Sequence, residues 1–158
     1  MTGWEVLCTN VNRIFFEAAN ISPDALNERC ANTMNTALGI RFTEVGNDYV
    51  KAVMPVAEAS IQPLGMLNGG ASMALVEIVG SMAANLAVDR TRFVCFGLDI
   101  NGNHVRPAFK GQSVTATARP IHIGSTTHVW EVRVEDEKDR LLCIGRITMA
   151  VRPLEPSK

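Results

Sequence analysis

Two helical patterns open the chain. In residues 2–20, apolar side chains recur at spacings of three and four, which predicts a helix with one buried face. The positions that carry this spacing are Trp4, Leu7, Val11, Ile14, Phe15 and Ala18. Ser22 followed by Pro23 then favours a new helix start, because Ser is a good N-cap and Pro suits the first helical position. We expect a second, short helix from Pro23 to about Met34, with Gly39 closing the helical region.

The pattern then changes to one typical of strands. Residues 40–45 and 49–56 flank the turn-forming cluster Gly46-Asn47-Asp48, which predicts a β-hairpin. After a loop and a long apolar segment, further strands are predicted at residues 93–105, 113–122, 129–135 and 141–151. The first of these contains Gly97 and Gly102, and glycine inside a strand favours a bend or bulge.

The most apolar stretch of the chain runs from Gly69 to Val88 and contains one charged residue, Glu77. Its composition predicts a helix that is apolar on every face, and such a helix must be covered on most sides. A curved antiparallel sheet wrapped around one long helix provides this cover, so the pattern predicts an α+β fold. The segment is long enough to suggest a membrane span, but the central Glu77 and the mean hydropathy of +0.10 favour a buried helix.

Composition is that of an ordinary single domain. The chain has 158 residues, 47% of them hydrophobic, and a formal net charge of −1, so no nucleic-acid partner is indicated. The cysteines, Cys8, Cys30, Cys95 and Cys143, are scattered without a C-x-x-C pair, which argues against a structural zinc site and favours a reducing compartment. Since the first residues also lack a signal-peptide pattern, we expect a cytoplasmic protein without a membrane partner.

Glu77 is the first candidate for chemistry, because a carboxylate in an apolar helix is costly unless it is paired, hydrogen-bonded or held for reaction. The helix that carries it begins at Gly69-Gly70, and the free N–H groups of a helix start can bind an anion or a polarised carbonyl. Ser81 follows Glu77 by one turn and can orient it or a water molecule. Together these features fit acyl chemistry. A structural carboxylate and a glycine pair needed only for close packing are the alternatives.

Several further motifs occur in a fixed order along most of the chain. They are Gln62-Pro63-Leu64-Gly65-Met66-Leu67-Asn68-Gly69-Gly70-Ala71-Ser72, then Leu75, Glu77 and Gly80-Ser81, then Asn103-His104-Val105-Arg106-Pro107 and Gly111, and finally Ile123-Gly124-Ser125-Thr126-Thr127 before Trp130-Glu131-Val132. In this order they resemble the hotdog-fold acyl-CoA thioesterases, more narrowly the 4-hydroxybenzoyl-CoA thioesterase and PaaI group. The resemblance implies a hotdog domain over residues 22–153, an N-terminal helical extension over 1–21 and a tail over 154–158.

The resemblance also implies catalytic roles. Glu77 either activates water against the thioester or attacks it to form a mixed anhydride, while the N–H of Gly69 donates to the thioester oxygen. Gln62 positions the water or the carboxylate. Asn68 stands where the family usually has a histidine that contacts the thioester, and an amide can donate a hydrogen bond there but cannot carry a proton. Loop amides that only support turns are the alternative for Gln62 and Asn68.

The other implied site residues bind the substrate. His104 lines the substrate pocket or is a hydrogen-bonded strand residue, and Arg106, two residues on, pairs with a CoA phosphate or lies on the surface. Gly124-Ser125-Thr126 is a loop whose hydroxyls can bond a phosphate or the pantetheine amide, although the family often has arginine at position 125. Gly70 and Gly97 complete this set.

We therefore expect a homodimeric or homotetrameric thioesterase whose substrate is an aromatic or bulky acyl group on CoA or an acyl carrier. Water is the second substrate, so no metal and no cofactor is expected. The resemblance further implies that Gly69 of one chain faces Glu77 of another. A hotdog hydratase or dehydratase for enoyl thioesters remains an alternative, as does a non-catalytic acyl-CoA or aromatic-ligand binding module, which Asn68 favours.

Overall fold

The computed structural model describes residues 14–15 and 21–154 of the chain. The helix predicted at 2–20 and the tail therefore lie outside the described residues, apart from Ile14, Phe15 and Leu154. The Ile14 N–H donates to the Asn47 carbonyl at 3.1 Å. The buried Phe15 ring stacks on Trp130, with centroids 6.2 Å apart and planes 5° apart. At these two residues the chain before the first helix packs on the domain core.

Two short helices follow where one was expected. Helix α1 spans Pro23–Arg29 and α2 spans Met34–Leu38. Ser22 caps α1, as predicted, and Gly39 closes α2 with a φ of 69°. The prediction of one continuous helix is wrong because Asn32 between them has a φ of 60°, a left-handed conformation that asparagine tolerates and that a helix does not continue through.

Six strands form one antiparallel sheet, and each lies within a few residues of a predicted strand. They are β1 (Arg41–Val45), β2 (Val50–Pro55), β3 (Phe93–His104), β4 (Ser113–Ile123), β5 (Thr127–Asp136) and β6 (Leu141–Pro153). Their order in the sheet is β1-β2-β4-β5-β6-β3, so β1 and β3 are the edges. Along β5, Trp130, Val132 and Val134 are buried and alternate with half-buried residues, which confirms the predicted half-polar face.

Helix α3 (Gly69–Leu86) is the core helix and packs against strands β2 to β6, which confirms the predicted α+β arrangement. The packing is close: a Cβ built on Gly80 would lie 2.5 Å from Cγ2 of Ile147 on β6, so a side chain there would push the helix off the sheet. By length and composition alone α3 is also the one helix of the described residues that could cross a membrane, but half of it is buried inside this fold.

Edge strand β3 is irregular at one of its two glycines. The register shifts between Gly97 and Asp99, which confirms a bulge at Gly97. The ladder runs regularly through Gly102, so the irregularity predicted there is wrong. Gly102 instead makes room for the core, because a Cβ built on it would lie 2.6 Å from Cε of Met73. Two apolar side chains of this strand face solvent in the single chain, Phe96 at 57% and Leu98 at 62% exposure.

An asparagine amide holds each edge strand to a helix. Asn27 of α1 donates to the Phe42 carbonyl at 2.9 Å and accepts the Phe42 N–H at 2.8 Å. Asn85 of α3 donates to the Cys95 carbonyl at 3.1 Å and accepts the Cys95 N–H at 2.9 Å.

Val151 of β6 lies opposite Cys95, and its N–H donates to the Thr126 carbonyl, away from β3. The polar backbone groups of Cys95 therefore face the open side of the edge, where Asn85 occupies them.

Candidate active site

Glu77 lies midway along α3 with its side chain half-buried against β3. Its Oε1 would be 2.8 Å from a Cβ built on Gly97, so the glycine leaves the space that the carboxylate occupies. Burial raises the pKa of the Glu77 carboxyl above its ordinary value. Among the described residues it has neither an ion pair nor a hydrogen-bond partner that lowers this pKa. A carboxylate with a purely structural role would be bonded, so this one is available for chemistry.

A cavity of about 450 Å³ opens beside Glu77, and we call it the carboxylate cavity. Its lining residues are Arg29, Cys30, Asn35, Glu77, Ile78, Ser81, Met82, Asn85 and Arg90. Ser81 thus lies in the same cavity as Glu77, as their i,i+4 spacing predicts. Neither Arg29 nor Arg90 forms an ion pair within the described part of the chain, so both remain available to an anionic group.

Asn68 caps the start of α3. Its Oδ1 accepts the Gly70 N–H at 2.7 Å. The N–H of Gly70 is therefore occupied in this chain, which limits the substrate-binding role predicted for that residue. The Gly69 N–H has no acceptor among the described residues and remains a free donor at the helix N-terminus. Asn68 keeps its Nδ2 group as a further donor.

A second cavity, of about 430 Å³, lies at this end of the helix, and we call it the donor cavity. It is lined by Gln62, Met66, Leu67, Gly69, Ser72, His104, Val105, Arg106, Pro107, Ala108, Val134, Leu142 and Cys143. The His104 ring lies over Gly69, with Cε1 3.3 Å from a Cβ built there. Gln62 Oε1 accepts the backbone N–H of Leu64, so its oxygen supports the loop and its NH₂ stays free.

Arg106 lies beyond the end of β3 rather than on it. The strand stops at His104, one residue before its predicted end. The backbone N–H groups of Val105 and Arg106 both bond the Leu142 carbonyl, which ends the regular ladder. The Arg106 guanidinium donates to the Leu141 carbonyl at 2.7 Å and still lines the donor cavity beside His104.

The two cavities share no lining residue. Gly69 and Glu77 are eight positions apart on one straight helix, or about 12 Å along its axis at 1.5 Å per residue. One thioester group cannot contact both at hydrogen-bond distance. A single chain therefore separates the donor from the carboxylate.

The turn Gly124-Ser125-Thr126 lines neither cavity. It connects β4 to β5, and the Gly124 N–H donates to the Thr127 carbonyl at 2.9 Å. Its contact with CoA stays a prediction. Conversely, sequence reasoning missed Arg29, Asn35 and Arg90 in the carboxylate cavity. No local motif marks them, and the only signal was their position in the segments that flank the predicted sheet and core helix.

Residues 64–143 match the Thioesterase superfamily. The chain is 43% identical over 131 residues to the 1,4-dihydroxy-2-naphthoyl-CoA hydrolase of Escherichia coli K12, covering 83% of this chain and 95% of that protein. It is 39% identical over 128 residues to the proofreading thioesterase EntH of Cronobacter turicensis, covering 81% and 92%. A crystal structure of a thioesterase from Haemophilus influenzae matches the fold with a TM-score of 0.86 at 37% identity, over 90% of this chain and 97% of that one.

A six-stranded antiparallel sheet around one core helix, together with these matches, defines a hotdog thioester hydrolase. The chain belongs to the thioesterase superfamily. Its substrates are accordingly thioesters of the acyl-CoA or acyl-carrier class.

Proposed function

We propose that the protein hydrolyses an aromatic acyl-CoA thioester to the free acid and CoA, with Glu77 as the reacting carboxylate. The observation that carries this proposal is a half-buried Glu77 with a raised pKa, no ion pair in the described residues and a cavity beside it. The aromatic acyl group is supported by the Escherichia coli relative, which is a 1,4-dihydroxy-2-naphthoyl-CoA hydrolase. Water is the only co-reactant, and the proposal needs no metal or redox cofactor.

The complete site in this proposal lies between two copies of the chain. Pairing two β3 edges about a two-fold axis is antiparallel, so the His104 end of one strand lies beside the Gly97 end of the other. His104 adjoins Gly69, and Gly97 adjoins Glu77. The pairing therefore brings the donor cavity of one chain to the carboxylate cavity of its partner. The exposed Phe96 and Leu98 on this edge support the pairing, since an edge strand with exposed apolar side chains is usually covered.

In such a site the Gly69 N–H donates to the thioester oxygen as it gains negative charge, and the α3 dipole adds to this effect. Glu77 of the partner then acts in one of two ways. As a base it removes a proton from the water that attacks the carbonyl carbon; as a nucleophile it attacks that carbon itself, releasing CoA and leaving a mixed anhydride for water to cleave.

Single-turnover hydrolysis in ¹⁸O-labelled water identifies the nucleophilic route when water cleaves the anhydride at Glu77. With Glu77 as base, or with the anhydride cleaved at its acyl carbon, the first acid released carries the label. With Glu77 as nucleophile and water attacking the carboxyl carbon of Glu77, the first acid is unlabelled and the label enters the Glu77 carboxyl. Mass spectrometry of the product and of the peptide that contains Glu77 reads both outcomes.

The proposed function is tested by CoA release from a panel of aromatic and aliphatic acyl-CoAs, with an enoyl-CoA in the same panel. We expect hydrolysis of aromatic members with a higher kcat/KM than aliphatic ones, and no hydration of the enoyl group. Binding without turnover across the panel would contradict hydrolysis, and faster turnover of aliphatic members would contradict the aromatic preference.

A further inference from the structure

Asn35 on α2 differs from the two asparagines that hold the sheet edges. Asn27 and Asn85 each use both ends of the amide on a strand backbone. Asn35 is buried, with 7% of its surface exposed, yet its Nδ2 has no hydrogen-bond partner among the described residues. A buried donor without an acceptor is destabilising, and native structures rarely keep one without a reason.

Asn35 is one of the residues that line the carboxylate cavity, as is Glu77. The wall around it is partly apolar, from Cys30, Ile78 and Met82. Nδ2 itself is buried, and rotation about the last side-chain torsion, which has a broad energy profile in asparagine, would turn the NH₂ group toward this cavity. An acyl group whose carbonyl is at Glu77 thus extends into a cavity whose wall carries one unpaired amide.

We infer that Asn35 selects the acyl group by donating a hydrogen bond to an oxygen substituent on it, such as the phenolic oxygen of a hydroxyaryl group. The inference rests on the proposed function, in which the acyl group lies in the carboxylate cavity. A site built to bond a substrate oxygen rejects the analogue that lacks it, because the buried donor is then left unpaired. The preferred substrates are therefore hydroxylated aromatic thioesters rather than their unsubstituted parents.

The test compares thioesters that differ by one hydroxyl: the hydroxybenzoyl-CoA isomers against benzoyl-CoA, and hydroxynaphthoyl-CoA isomers against their naphthoyl-CoA parents. We expect wild type to prefer at least one hydroxylated member by about tenfold or more in kcat/KM. Asn35→Leu, which is similar in size, is expected to bring that ratio close to one. The ratio is measured within one preparation, so it does not depend on the folded fraction of the variant.

Asn27→Leu is the matched control. It also removes an asparagine from the helical segment before the sheet, but both ends of the Asn27 amide are bonded to the backbone of Phe42. We expect Asn27→Leu to be less stable and to keep the wild-type preference. The inference is overturned if wild type prefers no hydroxylated member, or if the preference persists in Asn35→Leu.

Binding of non-hydrolysable analogues separates this inference from the proposed function. In a thioether analogue, a methylene between the acyl carbon and sulfur prevents hydrolysis. If the protein hydrolyses no thioester but binds the hydroxylated analogue about tenfold more tightly than its parent, and Asn35→Leu binds both equally, the proposed function fails and the role of Asn35 stands. Equal dissociation constants in wild type overturn that role.

Discussion

The two cavities along α3 differ in how their polar groups are satisfied. In the donor cavity, Gln62 and Arg106 bond the backbone of their own chain, and Asn68, next to the lining residue Gly69, does the same. In the carboxylate cavity, Glu77 has no ion pair and Asn35 Nδ2 has no partner within the described residues. The side chains at the donor cavity are thus held by the fold, whereas Glu77 and Asn35 Nδ2 are left free for a ligand. Substitution of a side chain held by the fold should lower stability and activity together, whereas substitution of Glu77 or Asn35 should change activity or specificity without lowering stability.

The strongest test of this difference is Glu77→Ala. We expect activity to fall by roughly 10²–10⁴, the usual effect of losing a positioned acid or base. The stability at pH 7 should not fall, since the variant removes an unpaired, half-buried charge. Steady-state kinetics and thermal unfolding measure the two effects. Glu28→Gln, at an exposed position on α1, is the control and should match wild type in both. Near-normal turnover in Glu77→Ala would exclude a catalytic role.

Mixed dimers test whether the two cavities act together across chains. One parent carries Glu77→Ala and the other Gly69→Val, a change that crowds the exposed His104 ring. If sites are shared, one site of the mixed dimer has both intact groups and the other has both lesions. Mixing two inactive parents should then restore up to about half of wild-type activity per mixed dimer, by two-fold symmetry. If the parents fold and mixed dimers form but show no recovery, a site shared between chains by Gly69 and Glu77 is excluded.

Replacement of Asn68 tests the donor cavity. Asn68→Ala should lose the N-cap, at about 1 kcal/mol of stability, and about 1–3 kcal/mol of transition-state stabilisation if Nδ2 bonds the thioester. Asn68→Ser retains a capping oxygen and lacks Nδ2, so it should recover the stability but not the activity. Denaturant unfolding and kcat/KM report the two effects. If Asn68→Ser restored both, Asn68 would act only as a cap.

The smallest expected effect is the pH dependence that Glu77 confers. Its pKa is raised in the folded state, so the folded protein binds this proton more tightly than the unfolded chain does. The contribution of Glu77 to stability therefore falls as pH rises from the ordinary glutamate pKa through the raised one. Glu77→Gln should be more stable than wild type at pH 7, by a margin that shrinks toward pH 4. Chemical denaturation across this range measures the margin.

The same ionisation should set the acid limb of kcat/KM above the ordinary glutamate range, with Glu77 ionised in the active form. The pH–rate profile of Asn68→Ala should keep this one limb, because an amide does not titrate. A second ionisation in the wild-type profile that disappeared in Asn68→Ala would contradict the assignment of this limb to Glu77 alone.

Local signals were enough to predict most of the fold. The apolar run around Glu77, the turn-forming cluster Gly46-Asn47-Asp48 and the alternation in β5 each predict their element directly. The break between α1 and α2 was missed because the residue type of Asn32 alone does not reveal that it adopts a left-handed conformation. The role of Gly102 was misread because a glycine is needed there to make room for Met73 of α3, and the strand sequence does not contain that contact.

The candidate site was predictable to the extent that one helix carries it. Gly69 and Glu77 are on α3, so their types and spacing are legible in the sequence. Asn35 and Arg90 come from separate segments and reach the carboxylate cavity only through the tertiary fold. The two cavities are separate because α3 is long and because β3 lies at the edge of the sheet. Local periodicity in the sequence reveals the length of the helix but not the position of the strand.

The contact between Asn85 and Cys95 has a consequence for solubility. An uncovered strand edge with exposed Phe96 and Leu98 is a template on which further chains can stack without limit, as they do in fibrils. Asn85 already fills the outward backbone groups of Cys95, and the bulge at Gly97 distorts the next ones. An incoming strand can therefore extend along only one part of this edge. The same amide that fastens the strand to the helix limits how much of it can recruit other chains.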